Sequence, residues 1–336
     1  MDNSTTTDSD GINVIGHEFY AQDILLELPA LRYVMVALHI FMIIVAAFGN
    51  GALIYIILRN WRKHSNNVTV YLILNLVVTE LLRTMFHQPL RLRDILRPDV
   101  VLTNHDVIYC KTSGFFTAFF SCVAFHTIVG ISQERLLLIC FPLRAKGILT
   151  VEITRNIVIS IWLLAFLASL PLPFFFSFVA SISFEQNSTR FCFIDVVTDS
   201  GYRCTYYFFL FVVYYAIPVV AITTSYSCIF YTLNQGISGT DNTDETIQHV
   251  LAVRKKLSKI MLSIAVIFTL FHGPYFLTFF CLCLGVEIHK NPMFLLLIIE
   301  FLQLISSALT PFTYTAYSAL WPNRRKRNNC DDKDIE

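Results

Sequence analysis

Seven long runs of mostly apolar side chains decide what this chain can become: residues 32–59, 69–93, 108–140, 155–179, 203–234, 257–285 and 292–318. Crossing the hydrocarbon core of a bilayer takes about 20 residues of α-helix. In lipid the backbone N–H and C=O groups find no water, so a crossing segment bonds them internally as a helix or closes into a barrel. The runs are too long for buried strands, and they lack the alternation of barrel segments. With 55% hydrophobic and only 15% charged residues, the chain has no soluble domain of any size. The expectation is an all-α integral membrane protein, a seven-transmembrane helix bundle over 32–318. A tail over 1–31 precedes it, and a tail over 319–336 follows, starting with a short amphipathic or basic segment.

Loop charges orient the bundle, because cytoplasmic loops carry the excess of Lys and Arg. Residues 1–31 contain no Lys or Arg but hold Asp2, Asp8, Asp10, Glu18, Asp23 and Glu27. With that end outside, thirteen basic residues fall in the inner loops and tail, against Arg97, Arg190, Arg203 and Lys290 in the outer ones. The N-terminus is expected outside and the C-terminus inside. No basic stretch leads into an early apolar core, so no cleaved signal peptide is expected, and the first helix targets the chain. The acceptor triplets at Asn3 and Asn187 then lie outside, where glycosylation is possible. Asn67-Val-Thr lies inside, at the start of the second run, and reads as a helix cap.

Of nine cysteines, Cys110 and Cys192 fall on the outer, oxidising side and form the expected disulfide, with Cys204 as the rival partner. Cys122, Cys140, Cys228, Cys281 and Cys283 read as small membrane-embedded hydrophobes. The C-x-C at 281–283 has no second pair, so no zinc site is expected. Cys330, after a basic run, is a candidate for palmitoylation. Pro89, Pro171, Pro173, Pro218, Pro274 and Pro311 fall within the runs. A mid-helix proline costs about 3 kcal/mol in water. In a packed bundle the freed carbonyls find other donors, so kinks persist as hinges.

Charges inside the runs need partners. Glu134 and Arg135 sit together near the inner end of the third. Glu80, Arg83, His87 and Arg91 share one helical face of the second, and Glu300, Gln303 and Ser307 share one of the seventh. Arg83 and Glu300 are expected to pair across the two helices; the alternatives are a pair of Arg83 with Glu80 and an Arg83 free to meet an anionic ligand group. A transporter would show internal repeats and helices broken at the midplane, and neither is seen. Without H-E-x-x-H or a metal-ligand cluster, no enzyme activity, metal or cofactor is expected.

In order along the chain stand Gly49-Asn50, "LNLVVTELL" with Glu80, Glu134-Arg135-Leu136 followed by Pro142-Leu143, Trp162, Pro218 with Tyr226, Phe268 followed by "FHGP", and Thr310-Pro311-Phe312-Thr313-Tyr314. Together they resemble the rhodopsin-like (class A) G-protein-coupled receptors over 32–328. The resemblance implies a cell-surface receptor in the plasma membrane. It would bind an extracellular ligand, peptide or small molecule, and activate a heterotrimeric G protein as helix six moves outward. Its partners would be that ligand, that G protein and membrane lipid, with no nucleic acid among them. Activation would engage Glu134, Arg135, Tyr226, Phe268, His272, Pro274, Pro311 and Tyr314.

A core polar or sodium-like site would comprise Asn50, Glu80, Ser306, Ser307 and Thr310. The ligand pocket would draw on Arg83, His87, Thr117, Tyr275, Thr278, Glu300 and Gln303. The chain departs from the family at His272, where a Trp is usual, and at Thr310, which replaces an Asn. Glu80 stands for the usual Asp, and Ala124 for a common Ser. G-protein coupling is therefore better supported than sodium modulation, and a receptor that binds without signalling is the rival reading. The seventh run has no Lys for a retinal Schiff base. The outer half of the third has no Asp, the counter-ion of amine receptors.

Overall fold

The computed structural model describes residues 29–64, 66–96, 104–180, 190–194, 200–238, 245–284 and 292–319. The first run folds as α1 (Pro29–Arg59), followed by the single turn α2 (Trp61–His64). Asn67 caps α3 (Val68–Phe86), its side-chain oxygen accepting from the Val70 N–H at 3.4 Å, as the sequence predicts. Pro89 has no N–H to offer the preceding turn, and the second crossing is interrupted there. The Leu90 and Arg91 N–H groups both turn to the His87 carbonyl, at 3.1 and 3.3 Å, and α4 (Gln88–Leu96) continues past the predicted end.

The third crossing is α5 (Asn104–Cys140). The short α6 (Pro142–Ile148) opens on a proline, whose missing N–H costs nothing at a first helical position. The Thr150 hydroxyl accepts from the Ile153 N–H and starts α7 (Val151–Ser169). After the turn α8 (Leu172–Phe175) come β1 (Phe176–Ala180) and β2 (Arg190–Ile194), antiparallel, with Phe178 opposite Cys192. The bundle is all-helical, as expected, and between its fourth and fifth crossings these two short aromatic-rich strands add a ribbon, a composition that suits pleated pairing.

The fifth crossing comprises α9 (Ser200–Phe211), a π-helical turn over Val212–Ala216 and α10 (Ile217–Ser238). There the Ile217 N–H reaches back five residues to the Val212 carbonyl, and the widened turn makes room for the ring of Pro218. The sixth, α11 (Glu245–Cys283), begins well before the predicted 257 and contains Pro274; the seventh, α12 (Pro292–Ala319), contains Pro311. Among the described residues six helices are long and apolar enough to cross a membrane, and Leu297–Phe312 of α12 is a shorter apolar stretch.

Helix α5 is central and packs against α3, α7, α10 and α11; α1 closes the ring by packing on both α3 and α12. Two apolar layers fill the interior. One joins Leu53, Leu76, Ile128, Ile229, Met261 and Phe268; the other joins Phe125, Ala165, Leu210, Tyr214, Phe276 and Ile299. Large apolar side chains such as Phe41, Phe48, Leu163 and Leu167 point outward. That surface suits lipid, where helices associate by packing and polar contacts rather than by hydrophobic burial. Gly49 permits a close approach of α1 to α12: a Cβ there would lie 2.9 Å from Pro311 Cγ.

Candidate functional site

Polar side chains line the interior of the bundle in three tiers. The first lies at the end of α5 that holds Glu134 and Arg135. Arg135 Nε is 3.0 Å from Glu134 Oε2, the local ion pair the sequence predicts. A third residue closes it. The Thr69 hydroxyl donates to Glu134 Oε1 at 2.6 Å and accepts from Arg135 Nη2 at 2.6 Å, tying α3 to α5. Both charged residues are buried, so a pair of hydrogen-bonded charges replaces hydration. Thr69 is a site residue that sequence reasoning missed. It ends the Asn67-Val-Thr triplet, and the cap at Asn67 starts the helix that presents it.

Nearby, Gln133 donates to the Ser225 hydroxyl at 2.9 Å, joining α5 to α10. Tyr226, one residue on, is buried, with Ser132 of α5 beside its hydroxyl.

The middle tier joins helices two, three, four and seven. Asn75 donates to the Thr127 hydroxyl at 2.7 Å and accepts from the Trp162 indole at 2.8 Å. Arg83 Nη2 donates to Glu80 Oε2 at 2.8 Å and to the Gln303 carbonyl at 2.6 Å, while Nη1 donates to Gln303 Oε1 at 3.2 Å. Glu80 and Arg83 are both 0% exposed.

This corrects the expected Arg83–Glu300 pair, and antiparallel register is the reason. Thr84 meets Ser307 and Arg91 meets Glu300, so seven residues forward on helix two match seven back on helix seven. Glu300 therefore lies at the level of Arg91, and Arg83 lies deeper. Pro311 leaves the Ser307 carbonyl without its helical donor, and Asn50 supplies one at 3.1 Å from α1. The Thr310 hydroxyl donates to the Ser306 carbonyl. The sodium-like site thus has its residues gathered, but the Glu80 carboxylate already holds a guanidinium. The arrangement does not fit a free cation.

In the third tier Glu300 Oε1 takes Arg91 Nη2 at 3.2 Å, and Oε2 lies 3.7 Å from His87 Nε2. His87 Nε2 is 2.6 Å from the Thr117 hydroxyl oxygen, and the same hydroxyl lies 3.0 Å from the Ser113 carbonyl, to which it can donate. Arg91 keeps 23% of its side chain exposed, and Glu300 5%, so the guanidinium covers the carboxylate. Tyr275 and Thr278 are buried in α11.

Between these tiers the His272 ring stacks on Phe268 at 4.7 Å, nearly parallel, and meets the edge of Phe125. A compact imidazole fills the slot, and neither ring nitrogen has a hydrogen-bond partner among the described residues.

The structure thus brings Glu134 and Arg135 together, Asn50 with Ser307 and Glu80 with Arg83 and Gln303. His87, Thr117 and Glu300 form the third tier, which Arg83 does not reach. The Cys110 and Tyr314 backbones are helical and that of Cys192 is in β2, but their side chains lie outside the described residues. Asn3, Asn187, Cys330 and the basic segment after helix seven also lie outside them.

The sequence profile of the 7 transmembrane receptor (rhodopsin family) matches residues 49–314. The substance-K receptor of Bos taurus is 26% identical over 288 residues, 83% of this chain and 70% of that receptor. The cholecystokinin receptor type A of Mus musculus is 26% identical over 204 residues, 61% of this chain and 45% of the receptor. The substance-K receptor of Mus musculus is 25% identical over 249 residues, 72% and 60% of the two chains. The matches to the two mouse receptors span less than two thirds of those receptors' length.

Proposed function

The chain belongs to the rhodopsin family of seven-transmembrane receptors, multi-pass proteins of the plasma membrane, and on that premise we propose how it signals. Its N-terminal tail faces outward and its C-terminal tail faces the cytoplasm. A ligand enters from the outer side, beside Arg91, Glu300 and His87, and a heterotrimeric G protein docks where Arg135 lies. Peptide is the ligand class we favour. The similarity to receptors named for substance K and cholecystokinin supports it, and the missing Lys and Asp speak against retinal and amines.

The observation that carries this reading is the closed triangle of Glu134, Arg135 and Thr69. A basic anchor at a membrane edge needs no acid beside it and no hydroxyl from a second helix. Here the guanidinium is held inward, and it becomes available only when the contacts between α3 and α5 open. Outward movement of helix six would expose it, with the buried Tyr226 hydroxyl nearby as a candidate partner for the open state. A ligand drives the change only by its differential affinity for the open state.

Arg135→Ala tests the proposal in cells through agonist-independent recruitment of G proteins. Surface expression should stay largely intact while signalling falls. Full signalling by a well-expressed Arg135→Ala receptor refutes it. The departures at His272 and Thr310 favour a second reading, a receptor that binds without signalling. Wild-type recruitment at background level for every G protein, with normal surface expression, supports that reading instead.

A further inference from the structure

A carboxylate sealed from solvent among helices needs a positive charge close by, either a neighbouring side chain or a cation drawn from solution. The Glu80 chamber is rich in oxygen. Thr84 and Ser307 bring hydroxyls 3.2 Å apart, and Asn50 joins the same spot through the Ser307 carbonyl. Glu80 Oε1, Asn50 Oδ1 and Ser306 Oγ have no hydrogen-bond partner among the described residues. Carboxylate, amide and hydroxyl oxygens are the donors that hard cations take.

Yet the charge is already present, on the same helix one turn along. We propose that Arg83 is a tethered counter-ion: its guanidinium holds the place in the Glu80 chamber that a free monovalent cation would take. Two features make the tether more than a neutraliser. Both hydrogens of Nη2 are used, one on Glu80 Oε2 and one on the Gln303 carbonyl, so the group that neutralises the acid also clips helix two to helix seven. Nη1 adds the Gln303 side chain. A free ion comes and goes with its concentration, whereas this cation is always present at full occupancy. The link between helices two and seven is therefore constitutive and indifferent to sodium. Losing Arg83 would leave an acidic, oxygen-lined chamber that recruits an ion from solution.

The test uses the full-length receptor in nanodiscs, with thermal unfolding followed in NaCl and in choline chloride at equal ionic strength. The wild type should unfold at the same temperature in both salts. Arg83→Gln should unfold at a lower temperature in choline and recover part of the loss in NaCl, saturably. Adding Glu80→Gln to it should abolish that recovery. Arg83→Lys keeps a tethered charge and should be indifferent to sodium. If Arg83→Gln folds too poorly for melting curves, its folded yield on extraction should be higher in NaCl than in choline. A sodium-specific shift in the wild type overturns the proposal, as does an Arg83→Gln receptor that responds equally to both salts. The readout is stability, so the result stands apart from whether the chain activates a G protein.

Discussion

Replacing Thr69 by Val removes a hydroxyl of almost no volume and breaks the triangle at one corner. Two hydrogen bonds to charged groups are lost, Thr69 to Glu134 Oε1 and Arg135 Nη2 to Thr69, both 2.6 Å. Hydrogen bonds to charged groups contribute about 1.5–3 kcal/mol each. The direct contact between Arg135 and Glu134 at 3.0 Å survives, so the pair is weakened rather than abolished. A loss of about 3–6 kcal/mol from the closed arrangement is expected on that basis. Each 1.4 kcal/mol or so is a tenfold change in a two-state equilibrium, so the open state should gain at least about a hundredfold in population.

The measurement is ligand-free guanine-nucleotide exchange by G proteins on purified receptor in nanodiscs, alongside its thermal unfolding. Thr69→Val should raise basal exchange and lower the unfolding temperature, while Thr69→Ser should behave like the wild type. Glu134→Gln should also raise basal exchange, by removing the charge that holds Arg135. Unchanged basal exchange in a folded Thr69→Val receptor, or Thr69→Ser matching Thr69→Val, would refute the reasoning.

Double-mutant cycles on thermal stability should give a clear coupling for Arg91 with Glu300 and one within error of zero for Arg83 with Glu300, since only the first pair is in contact. Truncating one member of a buried pair costs about 3–5 kcal/mol, and the partly exposed Arg91 should show less than that. Gly49→Ala should destabilise by about 1–3 kcal/mol, because the added carbon meets the stiff Pro311 ring at 2.9 Å; a neutral effect in denaturation would argue against that approach of α1 to α12. Peptide mapping by mass spectrometry without reduction should recover Cys110 linked to Cys192, and a Cys110–Cys204 peptide would count against the proposed tie between the strand pair and helix three.

Length and apolar content, read one run at a time, were enough to mark the crossings, because the bilayer imposes its thickness on each segment separately. Local chemistry was equally legible. Asn67 caps a helix, Pro89 interrupts one, and adjacent Glu134 and Arg135 pair because they are neighbours in the chain. Helical periodicity also put Glu80, Arg83, His87 and Arg91 on a single face. What periodicity lacks is depth. Which acid a given Arg meets depends on how far one antiparallel helix has slid along another, and 1.5 Å per residue separates a partner from a near miss. That register gave Glu300 to Arg91 and left Arg83 with Glu80 and Gln303. Thr69 joined the Glu134–Arg135 pair for the same reason, since only the packing of α3 on α5 brings its hydroxyl there. The strand pair of 176–180 with 190–194 is likewise a pairing between segments separated in sequence. Single segments write their own secondary structure, while partners across helices are settled by the assembled bundle.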